Sequence, residues 1–379
     1  MERKLAIYET THVENLSALL ELCEDHFSEI TIFIPSYSSE QLQYIVAPLA
    51  ISSKITWVTQ GSEHNRAFIR KVFRHLQQSS YTHLHIGTLE HNLFLFAANL
   101  LLCRGLKISI TIHSLNEYKN RSYGDIRGFS ESVAKMILKN QIKHYRVLAP
   151  EMAATFKQRY PQDQVCFIPG NFFKPVENSP SSGRPFHIVI PGTVAGKRRN
   201  YDAVIKFLQN HIDQLTSFGP IQLTLAGNAD STEGAVIIKK LIELTVKSAF
   251  HLTYYTETVN QQQYETLYRS ADVIWAPVIV HTRSLRGIAE ISAVTHSPGF
   301  ITDQIYFGKP AIVPKALPLP SQLKGCNFQY EDENDLQEIF YSLLSNKNLI
   351  KEAKLKTTNA CTFFRKENFI APFHQLMDI

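Results

Sequence analysis

The stretch HIVIPGTVAGKRRNY (His187–Tyr201) decides the fold: an apolar β-rich run, a glycine turn, a basic cluster and a helix start follow in order. A buried strand that breaks at glycine and re-enters as a helix is the opening move of a Rossmann-like unit. The same alternation continues beyond it. Ile221–Ala226, Leu252–Tyr255, Val273–Ala276, Ala311–Val313 and Asn327–Gln329 read as strands. Between and after them, Tyr201–Phe218, Glu233–Val246, Asn260–Ser270, Thr302–Phe307 and Asp335–Leu344 carry helical periodicity.

The half before this stretch has the same rhythm. Strands are expected at Leu5–Tyr8, Ile30–Ile34, Ile55–Val58, His83–Ile86, Ile108–Ile112, Arg146–Ala149 and Val165–Ile168. Helices are expected at Asn15–His26, Arg66–Gln77, Asn92–Arg104 and Glu131–His144. Strands separated by helices imply parallel pairing. Around Gly170–Pro185 the pattern lapses into GNFFKPVENSPSSGRP, the composition of an interdomain linker. The expected fold is therefore α/β, two Rossmann-like doubly wound domains facing a central cleft. Residues 1–170 form the first domain, 171–185 the linker and 186–348 the second. Helices in 349–379 would return to the first domain.

Bulk properties fit this. The chain has 379 residues, 44% hydrophobic and 19% charged, more than one core usually serves. A net charge of +5 suits anionic ligands without implying nucleic acid. Five scattered cysteines form no C-x-x-C pair, which argues against a disulfide framework or a zinc site. The start of the chain lacks a signal-peptide pattern, and its most apolar run, Leu93–Leu102, is too short to span a bilayer. A cytoplasmic location is expected. No G-x-G-x-x-G follows a first strand, which argues against a dehydrogenase.

Four segments of the second half carry a resemblance. They are Val189–Tyr201, Leu223–Asn228, Leu267–Pro277 and Gly299–Val313, the last containing Gly308-Lys309-Pro310 before a strand. In order and spacing they resemble the nucleotide-sugar-binding domain of GT-B glycosyltransferases, nearest to retaining family 4. The resemblance implies a metal-independent hexosyltransferase whose substrate is a nucleotide diphosphate sugar, with no separate cofactor. The acceptor would be a glycan or lipid-linked molecule, in assembly of a surface polysaccharide.

Carried over residue by residue, the resemblance puts the leaving diphosphate near Gly192, Thr193, Asn228, Ser297 and Gly299, with Lys197 and Arg199 as its cations. Fixed cations aimed at a leaving diphosphate stabilise the charge it gains in the transition state, and backbone N–H groups at helix starts can cradle phosphates. Asp303 takes the place of the family's ribose-binding Glu. The family's other Glu falls on Thr295 and its Arg after the first glycine on Thr193, two departures that bear on how the sugar is held. Arg283 and Arg286 are alternative cations or plain surface loop. His113, ending Ser109–Ile112, matches the family's strand-end His that faces the donor sugar, and His12 lies where an acceptor could enter. His85 is expected to serve sheet packing, and Glu331-Asp332-Glu333 to cap a helix.

Two basic stripes remain. Arg66, Arg70 and Arg74, and Lys135, Lys139 and Lys143, recur every four residues beside apolar positions. They read first as solvated helix faces, with peripheral contact on anionic membrane as the sharper alternative. A GT-B epimerase of nucleotide sugars, or a degenerate GT-B binding module, are the competing functions.

Overall fold

The computed structural model describes residues 2–89, 91–119, 126–175, 183–246, 249–284 and 287–379. The chain divides into two compact units. One comprises Met1–Phe172, Val294–Ser297 and Lys366–Ile379; the other Phe173–Ala293 and Pro298–Arg365. Residues 176–182 of the expected linker lie outside the described residues, as does Arg286.

The first unit is built on seven strands: β1 (Lys4–Tyr8), β2 (Glu29–Pro35), β3 (Ile55–Gln60), β4 (His83–Ile86), β5 (Lys107–Ile112), β6 (His144–Val147) and β7 (Gln164–Phe167). Their order is β3-β2-β1-β4-β5-β6-β7, and every pair is parallel. The inner strands are nearly continuous apolar runs because both sheet faces are covered: Leu5–Tyr8 are all buried. Helix Asn65–Gln78 contributes Phe68, Val72 and Phe73 to the core, Leu93–Leu100 contributes Phe96, and Pro150–Arg159 contributes Met152 and Phe156. The last helix, Ile370–Met377, packs on β5, β6 and β7 within this unit. There His144 Nδ1 bonds the Gln375 carbonyl at 2.8 Å, and Ser109 Oγ meets Met377 Sδ at 3.8 Å.

The second unit has a six-stranded parallel sheet of β8 (Phe186–Pro191), β9 (Ile221–Asn228), β10 (Phe250–Tyr255), β11 (Val273–Trp275), β14 (Ala311–Pro314) and β15 (Phe328–Tyr330). Its order is β10-β9-β8-β11-β14-β15. A short antiparallel hairpin, β12 (His281–Arg283) with β13 (Ala289–Ile291), stands outside the sheet. Helix starts are capped as their sequences require: Asn200 Oδ1 accepts from the Ala203 N–H at 3.1 Å, and Ser231 Oγ from Gly234 at 2.9 Å. Lys347–Cys361 stays with this unit through Lys354. Buried Asp272 ties the unit together, taking Arg184 in a two-pronged pair (2.9 and 2.8 Å), Lys354 at 2.6 Å and the His187 N–H at 3.0 Å. Burial alone would raise its carboxyl pKa, but Lys354, the His187 N–H and Arg184 outweigh that and hold it below its usual value.

Each sheet is thus doubly wound, with a strand whose neighbours on its two sides run off in opposite chain order: β1 in the first unit and β8 in the second. Ligands of such sheets bind outside the carboxyl ends of the strands at this switch point. The elements differ from the sequence reading in places. Helix Ser36–Val46 and hairpin β12–β13 were not expected. The strand expected at Arg146–Ala149 is His144–Val147, because Ala149 already serves as the extended N-cap of the helix that Pro150 opens. The helix expected over Asn92–Arg104 ends at Leu100, and the chain turns through Gly105 at φ +81.

Candidate functional site

In the second unit the residues converge at the ends of β8, β9 and β11. Gly192 follows β8 at φ +78, a conformation that favours glycine. The Arg199 guanidinium lies over it so closely that a Cβ on Gly192 would stand 2.0 Å from Nη2, and Nη1 donates to the Thr193 carbonyl at 3.1 Å. Arg199 is held there because its segment pairs with the chain leaving β11. Arg199 bridges to Val278, the Ile279 N–H donates to the Arg198 carbonyl (3.0 Å), and the Asn200 N–H to Pro277 (2.8 Å). Gly227, near the end of β9, touches the backbone of Gly192 and Thr193, and the Val194 N–H donates to the Asn228 carbonyl at 2.9 Å. Gly192, Thr193, Asn228 and Arg199 therefore form one turn cluster at the switch point.

Lys197 is exposed; its carbonyl accepts from Thr282 Oγ1 at 3.2 Å, and among the described residues its side chain makes no hydrogen bond or ion pair to that cluster. Asp303 sits in helix Gly299–Phe307, where its Oδ2 accepts from the buried Tyr268 hydroxyl at 3.2 Å. Tyr268 in turn receives Tyr264 at 3.0 Å. Burial first and then the Asp303 charge push both phenols well above their usual pKa, while nearby Arg199 pulls Tyr264 back. The Tyr264/Tyr268 pair that backs Asp303 is what sequence reasoning missed. Its signal was the i, i+4 spacing of two tyrosines on one helix. Gly299 opens its helix exposed, with open space around it. Arg283 donates to the Gly287 carbonyl at 2.8 Å within the β12–β13 hairpin.

Ser297 does not belong to this cluster. Val294–Ser297 group with the first unit: the Leu115 N–H donates to the Thr295 carbonyl at 2.7 Å, and Ser114 bridges to His296. This brings the segment beside His113.

His113, directly after β5, is partly exposed. Its Nε2 lies 3.2 Å from Thr88 Oγ1 and 3.3 Å from the Gly87 carbonyl, and its ring lies against that of His12, tilted by 30° with centroids 4.4 Å apart. His12 Nδ1 contacts Glu14 Oε1 at 3.2 Å. Burial, then the charges of His12 and Arg146, hold His113 well below the usual histidine pKa. His12 and His113 thus share one place in the first unit, at its own switch point. Beside them lies Glu9, 1% exposed at the end of β1, which the sequence reading passed over. His85 is a packing residue, its two nitrogens 2.8 and 3.0 Å from the Ser109 and Thr111 hydroxyls.

No protein-family model matches the chain, and no curated protein matches it in sequence. Solved structures do match, over nearly the whole length. A glycosyltransferase from Rickettsia africae is 11% identical, with 99% of each chain covered and a TM-score of 0.65. The Anabaena protein HepE, solved in complex with UDP and glucose, is 11% identical over 100% of both chains, TM-score 0.66. A UDP-GlcNAc 2-epimerase from Methanocaldococcus jannaschii is 10% identical, covering 91% of this chain and 93% of its own, TM-score 0.56. The chain has the GT-B fold. At these identities the likeness is one of fold, and the family-4 assignment does not follow from it. No helix among the described residues is long and apolar enough to cross a membrane.

Proposed function

We propose that the protein is a glycosyltransferase that moves a hexose from a nucleotide diphosphate sugar to a glycan or lipid-linked acceptor, in surface polysaccharide assembly. The observation that carries this is the Arg199 guanidinium seated on Gly192 at the switch point of β8. One of its N–H groups is fixed on the Thr193 carbonyl, which orients the planar fork for a pyrophosphate. The open N-terminus of helix Gly299–Phe307 offers backbone N–H groups of the right polarity for the same anion. Asp303 would take the ribose hydroxyls, its carboxylate steadied by Tyr268. Lys197, exposed beside it, would meet the diphosphate as a point charge. These cations can offset the leaving group's charge without a metal. His113, with His12, would contact the sugars. The fold shared with HepE, which was solved with UDP and glucose, supports the same reading.

An isomerising enzyme is the second reading, supported by the fold shared with the epimerase. Incubating the chain with nucleotide sugars, with and without glycan acceptors, separates them. A transferase releases nucleoside diphosphate and labels the acceptor; an epimerase converts the donor alone. Absence of both reactions, with nucleotide still bound, would mark a binding module, to which Thr193 and Thr295 in place of the family's Arg and Glu would point.

The exposed Arg66, Arg70 and Arg74, with half-exposed Phe94 and exposed Leu101 and Leu102 on the neighbouring helix and its end, support peripheral contact with anionic lipid. The lysine stripe supports it less, because Lys135 turns in to donate to the Glu117 carbonyl at 2.7 Å.

A further inference from the structure

The first unit holds a cavity of about 680 Å³ lined by two arginines. Its walls come from the starts of helices Asn65–Gln78 and Leu93–Leu100 and from helix Ile126–Gln141. The first two helices follow β3 and β4, so both begin at the carboxyl edge of the sheet, the edge at which ligands of parallel sheets bind. A space of this volume suits a small organic molecule rather than a bare ion.

The cations in it are uncommitted. Arg66 and Arg70 lie four apart on one helix, both exposed, and therefore face the same way. Arg66 gives its Nε–H to Asn92 Oδ1 at 3.3 Å, and among the described residues Arg70 makes no hydrogen bond or ion pair. A cation in the first turn of a helix opposes the helix dipole, and neither helix carries an acid in its first turn to offset it. No side chain caps either start: Asn92, at the N-cap of Leu93–Leu100, has its oxygen turned to Arg66 instead. Among the described lining residues two guanidinium groups stand against one carboxylate, Glu131. Such a pair matches a phosphate, whose several oxygens can meet two planar forks at once. Beside the cations, half-exposed Phe94 adds apolar wall, while Asn92 and Glu131 offer partners for hydroxyls.

We propose that this cavity binds a phosphate ester, with the phosphate on Arg66 and Arg70 and the organic part against Phe94. That the ester is the acceptor rests on the glycosyltransferase reading; the anion site does not.

The test is calorimetric titration of the full chain at low salt with two probes. One is glucose 1-phosphate, compared with glucose. The other is dihexanoyl phosphatidic acid below its micellar concentration, compared with dihexanoyl phosphatidylcholine. At least one phosphate ester should bind saturably, about tenfold or more above its counterpart. Arg66→Ala and Arg70→Ala should each weaken it about tenfold. Arg74→Ala removes the same charge one turn further along the helix, outside the cavity, and should stay within about twofold. Binding of the sugar phosphate alone supports a soluble ester, and binding of the lipid alone a lipid-linked one. No saturable binding of either, or an equal loss in Arg74→Ala, would overturn the proposal. So would ester binding that Arg199→Ala abolishes and Arg70→Ala leaves intact, which would place it in the second unit. If the ester binds through Arg70 but no nucleoside diphosphate binds the parent chain, the cavity stands and the transferase reading fails.

Discussion

Gly227→Ala should dismantle the turn cluster of the second unit. The added Cβ would lie 2.2 Å from the carbonyl carbon and oxygen of Gly192 and 2.6 Å from the Thr193 nitrogen, where ordinary contact begins at 3.4 Å. The shortfall, 3.4 less 2.2, is about 1.2 Å, and every atom in the way is backbone, so no side-chain rotation relieves it. The ends of β8 and β9 must separate by about that much, which stretches the 2.9 Å Val194–Asn228 bond past hydrogen-bonding range. Overpacking of this kind costs ~1–3 kcal/mol. The Thr193 carbonyl that steadies Arg199 moves with the turn, so nucleoside diphosphate affinity should fall at least tenfold, about 1.4 kcal/mol. Urea unfolding gives the first quantity and calorimetric titration with UDP the second. Gly325→Ala is the control: its Cβ would meet only the end of the Lys356 side chain at 3.6 Å, and little should change. A Gly227→Ala protein within about 0.5 kcal/mol of the parent in stability, and within twofold in affinity, would refute the reasoning.

Other outcomes follow from the same geometry. Asp272→Ala leaves Arg184 and Lys354 without their buried partner, and urea unfolding should show a loss of ~3–5 kcal/mol. Stability should fall as pH drops below 6.5. Burial lowers the pKa of His187 and of His83 to about 4 each, so the unfolded chain binds protons that the folded one refuses. That stability is intact above pH 6.5, falls by about 2 kcal/mol per histidine at pH 5, and is lost in full below 4. His187→Gln should flatten the slope of stability against pH, and an unchanged slope would contradict the assignment. Sedimentation with vesicles should show binding at low salt to anionic but not neutral lipid, reduced by Arg66→Ala, Arg70→Ala and Arg74→Ala together; no binding at low salt removes the membrane reading.

Much of the fold was legible because parallel strands covered on both faces must be continuous apolar runs, and the helices between them must carry one apolar stripe. The exceptions have physical reasons. Ser36–Val46 is rich in Ser, Gln and Tyr and buries only Ser38, Ser39, Leu42 and Val46, too few apolar positions for a periodic signal. The β12–β13 hairpin, three residues a strand, has no apolar run at all. At the site, the Gly192 turn and Arg199 could be read because local sequence builds them. Glu9 could not, since its partners are backbone N–H groups and the space it fills lies against a glycine some 80 positions away. Nor could the placement of Thr295 beside Ser114 and Leu115, which depends on a chain segment far from them in sequence. Asp303 was singled out by the family resemblance, but the Tyr268 hydroxyl that donates to it could be placed only by the folded helix pair.

On the proposed function, the second unit grips a pyrophosphate with Arg199 and a ribose with Asp303. Titration of nucleoside diphosphates and their monophosphates into the parent chain, Arg199→Ala and Asp303→Asn measures it directly. At least one diphosphate should bind the parent chain tenfold or more above its monophosphate. Arg199→Ala should erase that preference, and Asp303→Asn should weaken both ligands alike. A preference that survives Arg199→Ala, or no diphosphate binding to the parent chain, would contradict the claim.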